Sequence, residues 1–197
     1  MAISDYPDAQ KVYQRAQRLD PGTSLLYVAG GDLATAIGNQ TQADKDYALA
    51  LADASSKAQN TQVLSHECQS EVLRHEYSLA LTDCSNAATN SSSGSGAYDD
   101  LAEANLAVGN PGAALTGINS AISNFIGNAN AYTQTAGVDG FGLSNLLAAK
   151  GWIQIQLGQT QAAVGTFNDA LNALPGPAPD TRARIKAYIE TAKKDEG

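Results

Sequence analysis

Five alanines occupy equivalent positions of one recurring pattern in this chain: Ala9, Ala43, Ala80, Ala114 and Ala163. Successive alanines lie 34, 37, 34 and 49 residues apart. A repeat period in the middle thirties is typical of solenoids that are built from two-helix units. The spacing therefore predicts an all-α chain made of stacked helix pairs.

The residues around each alanine repeat as well. Gly151 and Gly158 precede Ala163 by 12 and 5 residues, and Phe167 follows it by 4. We interpret the first glycine as a small residue that lets two helices approach closely, the second as the end of a helix, and the bulky residue as filling the gap. The same offsets around Ala43, Ala80 and Ala114 select Gly31, Gly38 and Tyr47, then Cys68, His75 and Cys84, then Ala102, Gly109 and Ile118.

This pattern resembles the tetratricopeptide repeat family over roughly residues 7 to 195. The resemblance implies a right-handed superhelical solenoid of antiparallel helix pairs, with about four and a half repeats in a single domain covering 1–197. We expect a second helix of a pair at 6–20, repeats at about 24–54, 61–90, 96–127 and 144–175, and a capping helix at 180–195 with Asp180 as its N-cap. Loops are expected near 55–60, at 90–96 and, as an insertion, at 128–142. The unpaired first helix suggests a trimmed or processed chain, or else a native cap.

Charge narrows the class of partner. Residues 1–179 hold 7 Lys or Arg against 16 Asp or Glu. Such a surface repels polyanions, so binding to nucleic acid or to an anionic membrane is disfavoured, and a neutral or basic protein segment is the expected partner. The apolar runs are too short to cross a bilayer, and the first residues do not resemble a signal peptide.

The sequence contains few residues that could act in catalysis or bind a metal. It contains two histidines and two cysteines, and His66 and Cys68 point in different directions from one helix, so we predict no metal site, no cofactor, no catalytic residues and no enzymatic activity. Cys68 and Cys84 occupy the facing positions that Gly31 and Tyr47 hold in the preceding repeat. They are therefore either a disulfide, which would indicate the periplasm or a secreted protein, or two reduced core thiols of a cytoplasmic protein.

If the geometry of the family transfers, the first helix of each pair lines a concave groove. Trp152 is then the best single anchor for a partner, because tryptophan is enriched among binding hot spots. The predicted function is a protein-interaction module that binds a peptide or helix in this groove. The alternatives are a self-assembling structural subunit, and a small-ligand binder or enzyme that uses 128–142 as a lid. The predicted binding residues are Val28, Asp32, Thr35, Gln69, Val72, Asp99, Glu103, Leu106, Trp152 and Ile155.

Overall fold

The computed structural model describes residues 6–90, 95–132 and 140–194. Within these ranges the chain forms ten helices and no strand. None of these helices is long and apolar enough to cross a lipid bilayer. The helices are α1 (Tyr6–Leu19), α2 (Ser24–Ala36), α3 (Gln40–Asp53), α4 (Lys57–Leu73), α5 (Tyr77–Asn90), α6 (Ser95–Ala107), α7 (Pro111–Tyr132), α8 (Gly140–Gln156), α9 (Thr160–Ala173) and α10 (Pro179–Lys194).

The helices fall into two compact units, Met1–Ser92 and Ser93–Gly197. In the first unit α2 packs on α3 and α4 on α5; in the second α6 packs on α7 and α8 on α9, with α10 against α9. Short turns join the two helices of the pairs α2–α3, α4–α5, α6–α7 and α8–α9, so these partners run antiparallel. The predicted all-α helical-repeat fold is thus confirmed, whereas the single continuous domain stays a prediction.

The repeating pattern corresponds to the core. Ala43, Ala80, Ala114 and Ala163 are each 0% exposed, and so are the bulky residues four positions later. Ala9, on α1, is exposed instead, because this helix buries none of its residues. The alanine of the pattern is therefore buried in the pairs α2–α3, α4–α5, α6–α7 and α8–α9.

Close helix contact explains the small residue of the pattern. A Cβ added to Gly31 would lie 2.6 Å from Cε1 of Tyr47, and one added to Gly151 would lie 2.5 Å from Cε1 of Phe167. Real Cβ atoms do not approach other atoms so closely, so each aromatic ring occupies the space that the glycine leaves. The predicted pairing of small and bulky residues across a helix pair is confirmed at both positions.

The turn between the two helices of a repeat requires a positive φ. Gly38, Gly109 and Gly158 have φ values of 76°, 81° and 70° at equivalent positions. In the third repeat His75 takes this place, with a φ of 62°. Its Nδ1 lies 2.6 Å from the Tyr77 hydroxyl. The left-handed conformation costs a residue with a Cβ roughly 1 to 2 kcal/mol, so this turn is strained relative to the other three.

Replacing His75 by glycine is expected to stabilise the first unit by about 1 kcal/mol, because the strain disappears while only one exposed hydrogen bond is lost. Urea denaturation followed by circular dichroism measures the change. His75→Ala is the matched control, since it removes the same ring but keeps the Cβ, and it should not gain stability. If His75→Gly were no more stable than His75→Ala, strain at this turn would not be the cause.

Helices replace part of all three predicted loops, since α5 ends at Asn90 and α6 begins at Ser95. α4 begins at Lys57 rather than near residue 61, because Ser56 caps it: the Ser56 hydroxyl accepts the Gln59 N–H at 3.2 Å, and Gln59 Oε1 accepts the Ser55 N–H at 2.9 Å. This reciprocal arrangement is close to a capping box. Of the segment 128–142, residues up to Tyr132 belong to α7 and those from Gly140 to α8. Residues 133–139 of the predicted insertion, like 91–94 of the predicted 90–96 loop, lie outside the described residues.

The last helix begins one residue earlier than expected. α10 starts at Pro179, so Asp180 lies in its first turn and is not the N-cap as predicted. Proline suits the first helical position, because an N–H there would have no partner within the helix. The negative charge of Asp180 in the first turn is stabilised by the positive end of the helix dipole. Arg182 donates to the carbonyls of Leu171, Leu174 and Gly176 at 3.3, 3.4 and 3.1 Å, satisfying the end of α9.

Candidate functional site

A pocket of about 310 Å³ opens in the second unit, between α6 and α8. It brings together four of the predicted binding residues, from both helices. Its floor comes from buried residues of the core, so the pocket has apolar walls with acidic groups at its edge. The lining residues are Asp99, Ala102, Glu103, Leu106, Ile118, Ala149, Trp152 and Ile153.

The acidic groups of α6 are crowded. Burial and the neighbouring Glu103 raise the pKa of Asp99 to about 6. Burial, together with Asp99 and Glu103, raises the pKa of Asp100 to about 7. A positive charge placed here would be attracted by these carboxylates and would lower both pKa values.

The ring of Trp152 packs against neighbouring aromatic rings and is also partly accessible in the pocket. Its ring lies edge-on to Phe167 and to Tyr188 of α10, with centroid distances of 6.3 and 5.0 Å. The ring is half-buried, so part of it remains available in the pocket. Ile155, also predicted to bind, does not line the pocket and packs against the core around Phe167. Trp152 therefore connects the pocket to the packing of the last helix.

In the first unit, the predicted residues Asp32 and Thr35 of α2 make polar contacts with α3 and α4. Asp32 accepts a hydrogen bond from the Tyr47 hydroxyl at 2.7 Å, and its other carboxylate oxygen lies 3.0 Å from His66 Nδ1. The hydrogen bond to Asp32 raises the pKa of His66, although burial acts against it. Thr35 Oγ1 lies 2.5 Å from Ser70 Oγ. Polar contacts thus link α2 with α4 at the place where the groove was predicted.

Two predicted binding residues are not accessible. Val28 and Val72 are 4% and 3% exposed, and Val28 belongs to the core around Tyr47. Val28 packs with Ala43 of α3 and Val63 of α4, and Val72 is likewise buried. Expecting their side chains to be exposed was therefore wrong, whereas Gln69 is exposed as predicted. Whether any of these residues binds a partner stays a prediction.

Cys68 and Cys84 form a disulfide with a Cα–Cα distance of 5.0 Å. They take the positions that Gly31 and Tyr47 hold in the preceding repeat, which confirms that these positions face each other. The two histidines are engaged elsewhere, His66 with Asp32 and His75 with Tyr77. The two cysteines and the two histidines, which the sequence analysis considered together as metal ligands, therefore take part in three separate contacts.

Sequence reasoning missed two features of these surfaces. Asp100 was not selected, although it follows Asp99 and lies half-buried beside it. His66 was considered only as a metal ligand, whereas it faces Asp32 of the preceding repeat, 34 residues earlier. The repeat period itself carried this signal, because residues one period apart on successive first helices are neighbours in a stack.

Several solved structures resemble this chain, and MamA and PilF are two of them. MamA matches it at 16% sequence identity with a TM-score of 0.60, covering 88% of this chain and 91% of its own. MamA and a second match, PilF of Pseudomonas aeruginosa, are both tetratricopeptide-repeat proteins. This chain has a tetratricopeptide-like fold. PilF of Pseudomonas aeruginosa matches it at 15% identity with a TM-score of 0.63, covering 97% of this chain and 81% of its own.

The tetratricopeptide-like fold is confirmed by structure rather than by sequence similarity. No protein-family model matches the chain, and no curated protein matches it. At identities this low, the likeness establishes the fold alone, because one solenoid fold serves many unrelated roles. Function must therefore be argued from the pocket and its charges.

Proposed function

We propose that this tetratricopeptide-like protein is a protein-interaction module that binds a neutral or basic segment of a partner, as an extended peptide or a helix. The observation that carries the proposal is the pocket between α6 and α8, where Trp152 and Leu106 adjoin Asp99 and Glu103. Pockets that combine apolar walls with a few convergent polar groups are the usual form of a recognition site.

The chemistry of the pocket favours a lysine or arginine side chain. Asp99 and Glu103 line the pocket, and a cation placed beside their carboxylates would favour the charged form of both. The face of a tryptophan also attracts a cation, and the long stem of lysine or arginine packs against apolar walls. A carboxylate would meet negative charge instead, so a partner's C-terminus is disfavoured.

We propose the polar contacts of the first unit as a separate, second candidate surface. Asp32 and Gln69 are exposed there, and Thr35 is half-buried. Asp32 already contacts Tyr47 and His66, which hold its carboxylate in place for a partner's donor. We place these three residues in a candidate contact surface that belongs to the first unit alone.

A charge reversal in the pocket tests the proposal. Glu103→Lys is expected to reduce capture of the partner about tenfold in a crosslinking pull-down read by mass spectrometry, because it places a like charge against the basic segment. Asp169→Lys is the matched control, since it makes the same change of charge at another exposed carboxylate of the second unit, on α9. Trp152→Ala is less suitable, because it would also remove packing against Phe167 and Tyr188.

The control decides how the pull-down is interpreted. A partner lost with Glu103→Lys but retained with Asp169→Lys supports binding in the pocket. Equal loss with both variants would mean that net charge alone governs capture. Equal retention would contradict the proposed site.

Self-assembly is the second candidate function, and α1 is the observation that favours it. None of its fourteen residues is buried, while Val12 and Leu19 are 69% and 76% exposed. Exposed apolar groups on an amphipathic helix are suited to contact with a second copy. In that case the wild-type protein, Glu103→Lys and Asp169→Lys would all capture further copies of this chain.

We also infer that the protein works in an oxidising compartment, either the periplasm or the extracellular space. The support is the disulfide between Cys68 and Cys84, because disulfides persist in such compartments and are rare in the reducing cytosol. Fractionation of cells followed by thiol alkylation tests this inference. Protein recovered mainly from the cytosol with both thiols reduced would overturn it.

A further inference from the structure

Three carboxylates converge between α4 and α5 of the first unit. Glu67 and Glu71 lie one turn apart on α4, and Asp83 lies on α5. Each contributes an oxygen, and these oxygens lie within 4.8 Å of one another. Like charges at this distance repel, so a cation bound between the three carboxylates would be stabilised by all of them.

The disulfide fixes this arrangement. Cys68 directly follows Glu67, and Cys84 directly follows Asp83, so the covalent bond joins the backbone positions next to two of the three carboxylates. Glu71 is on the same face of α4 as Glu67, because residues four apart on a helix are neighbours. The cluster is therefore held on rigid helices rather than on a loop, as a preorganised site requires.

Glu71 is the independent sign that a ligand is missing. Its side chain is buried, with the residue 4% exposed, and its Oε2 has no hydrogen-bond partner among the residues that the structure describes. Buried carboxylate oxygens are normally satisfied, because leaving one unpaired costs free energy. The unpaired oxygen belongs to a carboxylate that takes part in the cluster, so a ligand held between the three groups would satisfy it.

The surrounding charges do not supply the compensation. Arg74 is the nearby cation, but its guanidinium binds Asp44 at 2.6 Å and Glu76 at 3.0 Å. Arg74 is therefore engaged by two carboxylates outside the cluster.

We propose that Glu67, Glu71 and Asp83 bind a divalent cation of the calcium class. Carboxylate oxygens are the ligands that hard cations prefer, and calcium binds them at about 2.3 to 2.6 Å in flexible geometry. Two oxygens on one calcium ion therefore lie at most about 4.6 to 5.2 Å apart, a limit compatible with oxygens that all lie within 4.8 Å of one another. Magnesium demands near-ideal octahedral geometry and loses its water reluctantly, so it is less suited to a site made of protein carboxylates. The sequence predicted no metal because it was searched for cysteine and histidine ligands.

Calcium titration of the full-length chain at pH 8, after removal of metals with EDTA, tests the site. Isothermal titration calorimetry is expected to give one ion per chain. Thermal unfolding is expected to shift upward by about 5 °C at a calcium concentration a hundred times the dissociation constant. Hydrogen exchange should show the added protection in α4 and α5. Magnesium at the same concentration should give a smaller shift.

Glu71→Gln is expected to abolish the calcium response while raising the unfolding temperature in EDTA, because the amide removes a buried charge but keeps the shape. Asp83→Asn is the second variant and should lose the response even if Glu71→Gln fails to fold. Glu190→Gln, on the exposed face of α10, is the matched control and should respond like the wild type. No response in the wild type, an undiminished response in Glu71→Gln or Asp83→Asn, or a larger response to magnesium would overturn the proposal.

Discussion

Replacing Phe167 by alanine is expected to lower the free energy of unfolding of the second unit by about 3 to 5 kcal/mol. Phe167 is 0% exposed, and its ring packs against Trp152 and Tyr188 with centroid distances of 6.3 and 5.6 Å. Truncation leaves a cavity where α8, α9 and α10 meet, and the surrounding helices can only partly collapse into it. Urea denaturation followed by the fluorescence of Trp152, the single tryptophan, measures the loss.

Gly151 provides a test of whether the ring of Phe167 and the missing side chain of Gly151 depend on each other. Gly151→Ala alone is expected to cost about 1 to 3 kcal/mol, because its Cβ would lie 2.5 Å from Cε1 of Phe167. In the Phe167→Ala background the same change should be neutral or stabilising, since alanine favours a helix over glycine by about 1 kcal/mol. Gly165→Ala is the control, because a Cβ there meets nothing within 4 Å. Additive effects of Gly151→Ala and Phe167→Ala would contradict the pairing.

Removing the disulfide is the second large perturbation. Cys68→Ala with Cys84→Ala is expected to lower the free energy of unfolding of the first unit by about 2 to 4 kcal/mol. The bond closes a loop with a sequence separation of 16, and both cysteines are 0% exposed in the core between α4 and α5. Urea denaturation with and without dithiothreitol measures the effect, and dithiothreitol should leave the double variant unchanged.

The chain itself offers a matched control for the disulfide. Cys68→Gly with Cys84→Tyr installs the residues that the preceding repeat uses at these positions, Gly31 and Tyr47. If packing can replace the covalent bond, this variant should recover part of the stability that the double alanine variant loses. Native protein whose cysteines react with alkylating reagents without prior reduction would contradict the disulfide, and so would stability that is insensitive to dithiothreitol.

The repeat pattern was enough to predict the helix pairs and their core. Ala43, Gly31 and Tyr47 carried the prediction in one repeat, and all three are buried where the pattern places them. This worked because a helix has a constant number of residues per turn, so fixed offsets along the chain correspond to fixed faces of the helices. His75 was predicted in the same way, since its offset coincides with that of the turn glycines.

Helix ends were less predictable. Ser56 and Gln59 extend α4 into an expected loop through side-chain hydrogen bonds that composition does not reveal. Pro179 likewise begins α10 ahead of Asp180. Helix boundaries depend on which local bonds are made, and these are weak compared with the burial that sets the repeat.

By itself, the sequence determined the architecture of this protein: helix pairs, a buried alanine in each complete pair, and small residues facing bulky ones. Tertiary structure alone decided the surfaces. It buried Val28 and Val72, joined Asp99 and Glu103 to Trp152 in one pocket, and brought Asp83 to Glu71. The physical reason is that periodicity specifies which face of a helix turns inward, whereas exposure and side-chain contacts depend on the distance and rotation between neighbouring helices.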